Sequence, residues 1–125
     1  MYVHCNSDLP EASLPGIEHT TLAGTDLGAR QLSVWRQTVA PGAATPPHRN
    51  DCEEVVLVEA GQGQLHIDGA MVEFGPDSTL LLPADRDHQI INTGDEPLRL
   101  LAAFAGTPVA TFRPDGQPIE LPWRS

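Results

Sequence analysis

This sequence predicts an all-β fold of short strands closed into a sandwich or barrel, and three observations support that class. Twelve prolines and eleven glycines punctuate the 125 residues at short intervals. The runs between them are rich in Val, Ile, Leu and Thr. None of those runs sustains a 3.6-residue apolar period long enough to specify a helix. Short strands with regular turn signals between them are the signature of all-β sandwiches and barrels.

The elements follow in order. Residues 1–29 carry few regular signals and are expected to form an irregular arm. A strand is expected over 31–40, with Gln31, Ser33, Trp35 and Gln37 on one face and Leu32, Val34 and Arg36 on the other. Periodicity alone would have Gln37 face solvent. Pro41-Gly42 ends this strand. Strands are expected over 55–59 and 64–67, with Gly61-Gln62-Gly63 and Asp68-Gly69 reversing the chain around the second. Gly75-Pro76-Asp77 is a further turn, and strands are expected over 79–82, 89–92 and 98–104. The loop Thr93-Gly94-Asp95-Glu96-Pro97 joins the last two, and a final strand is expected over 109–113. Residues 114–125 form a second arm. The expected organisation is one domain, 1–125, with a barrel core at about 30–113 and arms at 1–29 and 114–125.

Composition excludes several function classes. The formal net charge is −10 and the pI is near 4.6. All seven basic residues are arginines, and they are scattered. Such a chain repels phosphate backbones and anionic bilayers, so neither nucleic acid nor a membrane is an expected partner. The first residues lack the charged and apolar regions of a signal peptide, and the expected address is the cytoplasm. Two cysteines, Cys5 and Cys52, are expected to be reduced thiols. Cys52 stands in phase with Asn50 and Glu54, which leaves sulfur ligation of a metal open.

The chemistry concentrates in two stretches. Thr45-Pro-Pro-His48-Arg-Asn50-Asp-Cys-Glu-Glu54 places an imidazole, an amide and a carboxylate at equal parity. If the chain is extended from 48 to 54, all three point to one face. Pro83-Ala-Asp-Arg-Asp-His88 supplies a second imidazole at the start of another strand. Two His and one Glu suit a divalent transition ion such as zinc, iron or manganese. Asn50 stands where such a site would take a third histidine, and it would fill or flank the fourth position. His4, His19 and His66 read as surface or packing residues. No nucleophile elbow, phosphate-binding loop or dinucleotide fingerprint is present.

These residues carry a resemblance. Gly42-x5-His48-x-Asn50-x3-Glu54-x6-Gly61 resembles the first cupin motif with its second histidine replaced. Pro83-x4-His88-x3-Asn92 resembles the second motif, with Asp85 where glycine is frequent. Ser7-Asp-Leu-Pro10, Glu18-His-Thr-Thr-Leu-Ala-Gly24, Val34-Trp-Arg-Gln-Thr-Val-Ala-Pro-Gly42 and the terminal Leu121-Pro-Trp123 extend the likeness, in register, to the plant auxin-binding proteins. The resemblance implies a cupin double-stranded β-helix, a jelly-roll barrel that is usually a homodimer with a metal inside. It implies zinc as the ion, with manganese or iron as alternatives, and an aromatic carboxylic acid as the small-molecule ligand. Carried over by position, His48, Glu54 and His88 are the metal ligands and Asn50 is the departure. Gln37, Thr45 and Pro46 fall near the carboxylate and ring, and Trp123 forms an aromatic wall. Cys5 resembles the first cysteine of a family disulfide whose partner has no counterpart here. The family's later helix, retention tail and glycosylation acceptors also lack counterparts, as expected of a bacterial-type cytosolic relative. Two further readings stay open. One is a metal-dependent enzyme, a dioxygenase, isomerase or decarboxylase of a small oxo acid. The other is a metal-free interaction module.

Overall fold

A computed structural model describes residues 2–125 of the chain. Eleven strands run in chain order: β1 (Glu11–Leu14), β2 (Ile17–Ala23), β3 (Ser33–Val39), β4 (Arg49–Asn50), β5 (Glu54–Ala60), β6 (Gly63–Ile67), β7 (Ala70–Phe74), β8 (Ser78–Leu82), β9 (His88–Asn92), β10 (Leu98–Phe104) and β11 (Thr111–Phe112). Two single-turn 3-10 segments, Asn6–Asp8 and Thr25–Leu27, are the only helical elements among the described residues, and neither could cross a membrane.

The strands make two walls. One is a six-stranded sheet in the order β1-β2-β3-β10-β5-β8. The other combines the three-stranded sheet β7-β6-β9 with the pair β11-β4, joined through bridges at Ala44–Ile91 and His48–His88. All named pairings are antiparallel. Alternation drives closure of the barrel. Along β10, Leu98, Leu100, Ala102 and Phe104 point inward and are buried, while Arg99 and Ala103 face out. Val56 and Val58 on β5, Leu80 and Leu82 on β8, and Trp35 and Val39 on β3 meet them in the core. Burying a side chain the size of Phe104 contributes about 2–3 kcal/mol.

The jelly-roll expected from the sequence is the fold observed, and each strand expected over 31–104 is present within one or two residues. The strand expected over 109–113 shortens to Thr111–Phe112. The arm expected over 1–29 requires correction. Residues 11–23 form a hairpin, β1 with β2, that extends the large sheet through β3. Pro15-Gly16 makes its two-residue turn, with Gly16 at φ 75°, where glycine carries no Cβ penalty. The inward residues of β2 are Ile17, His19 and Thr21, so the usual apolar alternation is absent there. β7 is an exposed edge strand across the Asp68-Gly69 turn and likewise has no buried face to announce it.

Candidate functional site

His48 and His88 are brought together by the backbone. Their N–H groups donate to each other's carbonyls, at 3.0 Å and 2.8 Å. A pair of this kind directs both side chains to one face. The ring centroids lie 4.4 Å apart. Each ring is also oriented locally. Nδ1 of His48 donates to the Pro46 carbonyl at 2.7 Å, and Nδ1 of His88 donates to the Arg86 carbonyl at 3.0 Å. A carbonyl only accepts, so each Nδ1 carries the proton and each Nε2 keeps its lone pair. That is the tautomer a metal-binding imidazole uses.

Glu54 begins β5 on the opposite wall, with its Oε1 3.6 Å from Nε2 of His88. The chain is not extended from 48 to 54: it bends over 51–53, between β4 and β5. The parity premise is therefore corrected, although Asn50 and Glu54 still meet. Burial pushes the Glu54 carboxyl up to about 8, against the opposing hydrogen bond from Asn50. Burial also lowers His88 to about 4, with the neighbouring His48 adding to the effect, and lowers His48 itself. The Glu54–His88 contact thus joins two groups whose charged forms burial disfavours.

Of the two places expected for Asn50, filling or flanking the fourth position, its hydrogen bonds favour flanking. Its Nδ2 donates to Glu54 Oε1 at 3.0 Å, and its Oδ1 accepts the Thr111 hydroxyl at 2.9 Å. The oxygen, the atom of an amide that binds metals, is therefore committed to Thr111 on β11. An amide also ends one bond short of the reach of an imidazole Nε2. Asn50 flanks the cluster and orients the carboxylate, while His48, Glu54 and His88 line the cavity itself.

The cavity between the walls is narrow, about 50 Å³, room for roughly three or four waters. The other residues expected at a ligand site, Gln37, Thr45, Pro46 and Trp123, all line it. Gln37 is therefore turned to the interior, against the solvent-facing reading of its strand. Thr45 is buried; its Oγ1 accepts from the Ile90 backbone N–H at 3.0 Å, leaving its hydroxyl hydrogen to donate. Trp123 stacks on His19, with centroids 3.7 Å apart and planes 7° apart, and meets the edge of Trp35 at 5.4 Å. The Nε1–H of Trp123 is buried without an acceptor. Nε1–H of Trp35 donates to the backbone oxygen of Ser125, which ties the C-terminal segment to this wall.

His19 is the site residue that sequence reasoning missed. It is 2 % exposed, and burial lowers its pKa to about 4. Gln37 Nε2 donates to its Nδ1 at 3.0 Å, and its Nε2 lies 2.7 Å from Thr21 Oγ1. Shared parity with Ile17 was the signal available. Cys52 is half-buried beside Gly106 and does not line the cavity; burial raises its thiol to about 11. His66 pairs with Gln64 outside the cavity, and His4 with the Leu22 carbonyl.

The donor set suits a divalent ion in kind: two Nε2 lone pairs from one wall and one carboxylate from the other line the same cavity. Their spacing is looser than a closed cage, since among the described residues no three His, Cys, Asp or Glu side chains converge as one ion requires.

A jelly-roll barrel with two oriented imidazoles and a buried carboxylate on its inner wall defines a small cupin. The family model described as auxin binding protein matches residues 2–119. The chain belongs to the auxin-binding protein family. It is 39 % identical over 118 residues to auxin-binding protein 1 of Arabidopsis thaliana, covering 85 % of this chain and 60 % of that protein. It is 40 % identical over 123 residues to auxin-binding protein T85 of Nicotiana tabacum, covering 87 % and 66 %. The chain thus spans about 60–66 % of the length of these curated relatives. Among solved structures it resembles the polyketide cyclase RemF of Streptomyces resistomycificus, with a TM-score of 0.72 and 21 % identity, covering 99 % of this chain and 83 % of that one. That likeness concerns the fold alone.

Proposed function

We propose that the barrel binds a small aromatic carboxylic acid at a mononuclear divalent metal site, as the name of its auxin-binding relatives suggests. The observation that carries this reading is the grouping of His48, Glu54 and His88 in one cavity walled by Trp35 and Trp123. Apolar walls with a few convergent polar groups are the usual form of a small-molecule site. His48, Glu54 and His88 hold the ion, with zinc the first choice and manganese or iron the alternatives. A bound ion would supply positive charge to the ligand's carboxylate. Asn50 orients Glu54, Thr45 offers its hydroxyl hydrogen to the acid, and the tryptophans flank the ring. An aromatic acid exceeds a cavity of about 50 Å³, so a lining side chain such as Trp123 moves when it binds. Among the described residues that line the cavity, no titratable group stands beside the three proposed ligands to act as a general acid or base, which favours binding over turnover. The reading includes a homodimer, and Leu57 and Leu81, 44 % and 72 % exposed on the outer face of the large sheet, are its proposed contact.

The test is calorimetric. Indole-3-acetate and benzoate are titrated into zinc-loaded protein, with and without chelator. Metal-dependent heat with at least one acid is expected, and its absence from both sinks the reading. In a companion arm, Asn50→His places an imidazole where the amide falls short and raises zinc affinity in competition with a chelating dye.

A further inference from the structure

Asn50 decides how many protein groups an ion in the cavity would meet. A carboxylate that holds a cation is ionised, and an ionised carboxylate only accepts hydrogen bonds. The Asn50 amide must then present its nitrogen to Glu54 Oε1, as it does at 3.0 Å. Its oxygen is turned to β11, where it accepts the Thr111 hydroxyl at 2.9 Å. Thr111 is directly opposite Asn50 in the β4–β11 pair, so the backbone keeps this partner in place. The ionised state that a cation requires therefore commits elsewhere the one amide atom able to ligate it. Among the described residues that line the cavity, His48, Glu54 and His88 are the only imidazoles and carboxylates. An ion here has three protein ligands. Zinc so held takes a fourth ligand and can expand to a fifth, and octahedral iron or manganese keeps more positions open. Two neutral imidazoles and one carboxylate leave a divalent ion with one positive charge, which a monoanion neutralises. A second anionic group would be buried uncompensated, whereas a neutral hydroxyl or carbonyl oxygen would not.

We infer that the Thr111–Asn50–Glu54 chain keeps coordination positions open on the ion, so that the barrel selects monocarboxylic acids with a hydroxyl or carbonyl oxygen on the carbon next to the carboxylate, the 2-hydroxy and 2-oxo acids. This rests on the metal-dependent aromatic-acid reading above and adds how the acid meets the ion. A lone carboxylate can close only a cramped four-membered ring with a metal. An oxygen on the neighbouring carbon closes a five-membered ring, and its binding is intramolecular once the carboxylate is held.

The experiment uses the full zinc-loaded chain and three acids that share one ring, phenylacetate, mandelate and phenylglyoxylate, titrated calorimetrically. Mandelate adds a hydroxyl, and phenylglyoxylate a carbonyl, beside the carboxylate. Wild-type protein is expected to bind at least one of these two about 10-fold more tightly than phenylacetate, and chelator should remove the preference. Asn50→His offers a fourth protein ligand and should cut the preference by about threefold or more. Cobalt(II) in place of zinc supplies a readout that folding alone would not set and that needs no variant. Its visible bands weaken as ligands are added, so they should be weaker with the preferred oxygenated acid than with phenylacetate. Equal affinities for the three acids in wild-type protein, cobalt bands of equal strength, or an undiminished preference in folded Asn50→His overturns the inference while leaving aromatic-acid binding intact. Failure of all three acids to bind wild-type protein overturns the ligand reading and the selectivity with it.

Discussion

Asn50 shows how one residue can keep its place in a sequence pattern and change its task. Its amide joins Glu54 to Thr111, so its two ends satisfy two buried partners at once. Thr111→Val leaves Asn50 Oδ1 buried without a donor and is expected to cost about 1–3 kcal/mol, read as a lowered urea midpoint. His19 gives the molecule an acid limb. Burial holds its pKa near 4, below the usual 6.5, so the unfolded chain binds a proton that the folded one refuses. The stability contributed by neutral His19 is complete above pH 6.5 and is lost as pH falls from 6.5 through 4. His88, also lowered to about 4, acts in the same direction. The fall in urea midpoint from pH 7 to pH 5 is therefore expected to be smaller in His19→Phe than in wild type. His48 and His88 were legible in the sequence because each follows a proline-led stretch, whereas Glu54 was expected from an extended chain that the bend after Asn50 does not provide. His19 was not legible, because its value comes from partners 18 and 104 positions away, Gln37 and Trp123.

Among the elements, turns were easier to see than the strands they join. Asp68-Gly69 was plain, yet β7 beyond it was not, since Met71 and Val72 face outward and no buried alternation marks the run. β2 hid for the opposite reason: its interior face carries His19 and Thr21, polar groups that the fold satisfies with specific partners. β10 shows the favourable case, because its buried face is wholly apolar and its bounds could be read directly. The turn between β5 and β6 illustrates how strictly backbone space is set. Gly61 has φ 89°, and a Cβ there would lie 2.7 Å from the Pro97 carbonyl oxygen and 2.8 Å from Leu98 Cα. Both contacts are backbone and cannot swing away. Gly61→Ala is expected to destabilise the protein by about 1 kcal/mol or more, measured by thermal or urea unfolding.

For the whole molecule, the two faces of the large sheet have different fates. The inner face makes the core and the cavity wall, while the outer face leaves Leu57 and Leu81 in the open on adjacent strands. If a second copy covers that face, as proposed, Leu81→Arg yields a monomer in sedimentation analysis without loss of the fold. An unchanged sedimentation coefficient would count against a dimer formed there. The aromatic wall has a consequence of another kind. The chain contains two tryptophans, and both line the cavity. Its tryptophan emission therefore originates at the pocket, with one indole stacked on an imidazole and the other tied to the C-terminal segment. The protein carries its own optical reporter, and any molecule that displaced Trp123 would reveal its arrival by a change of light, with no label attached.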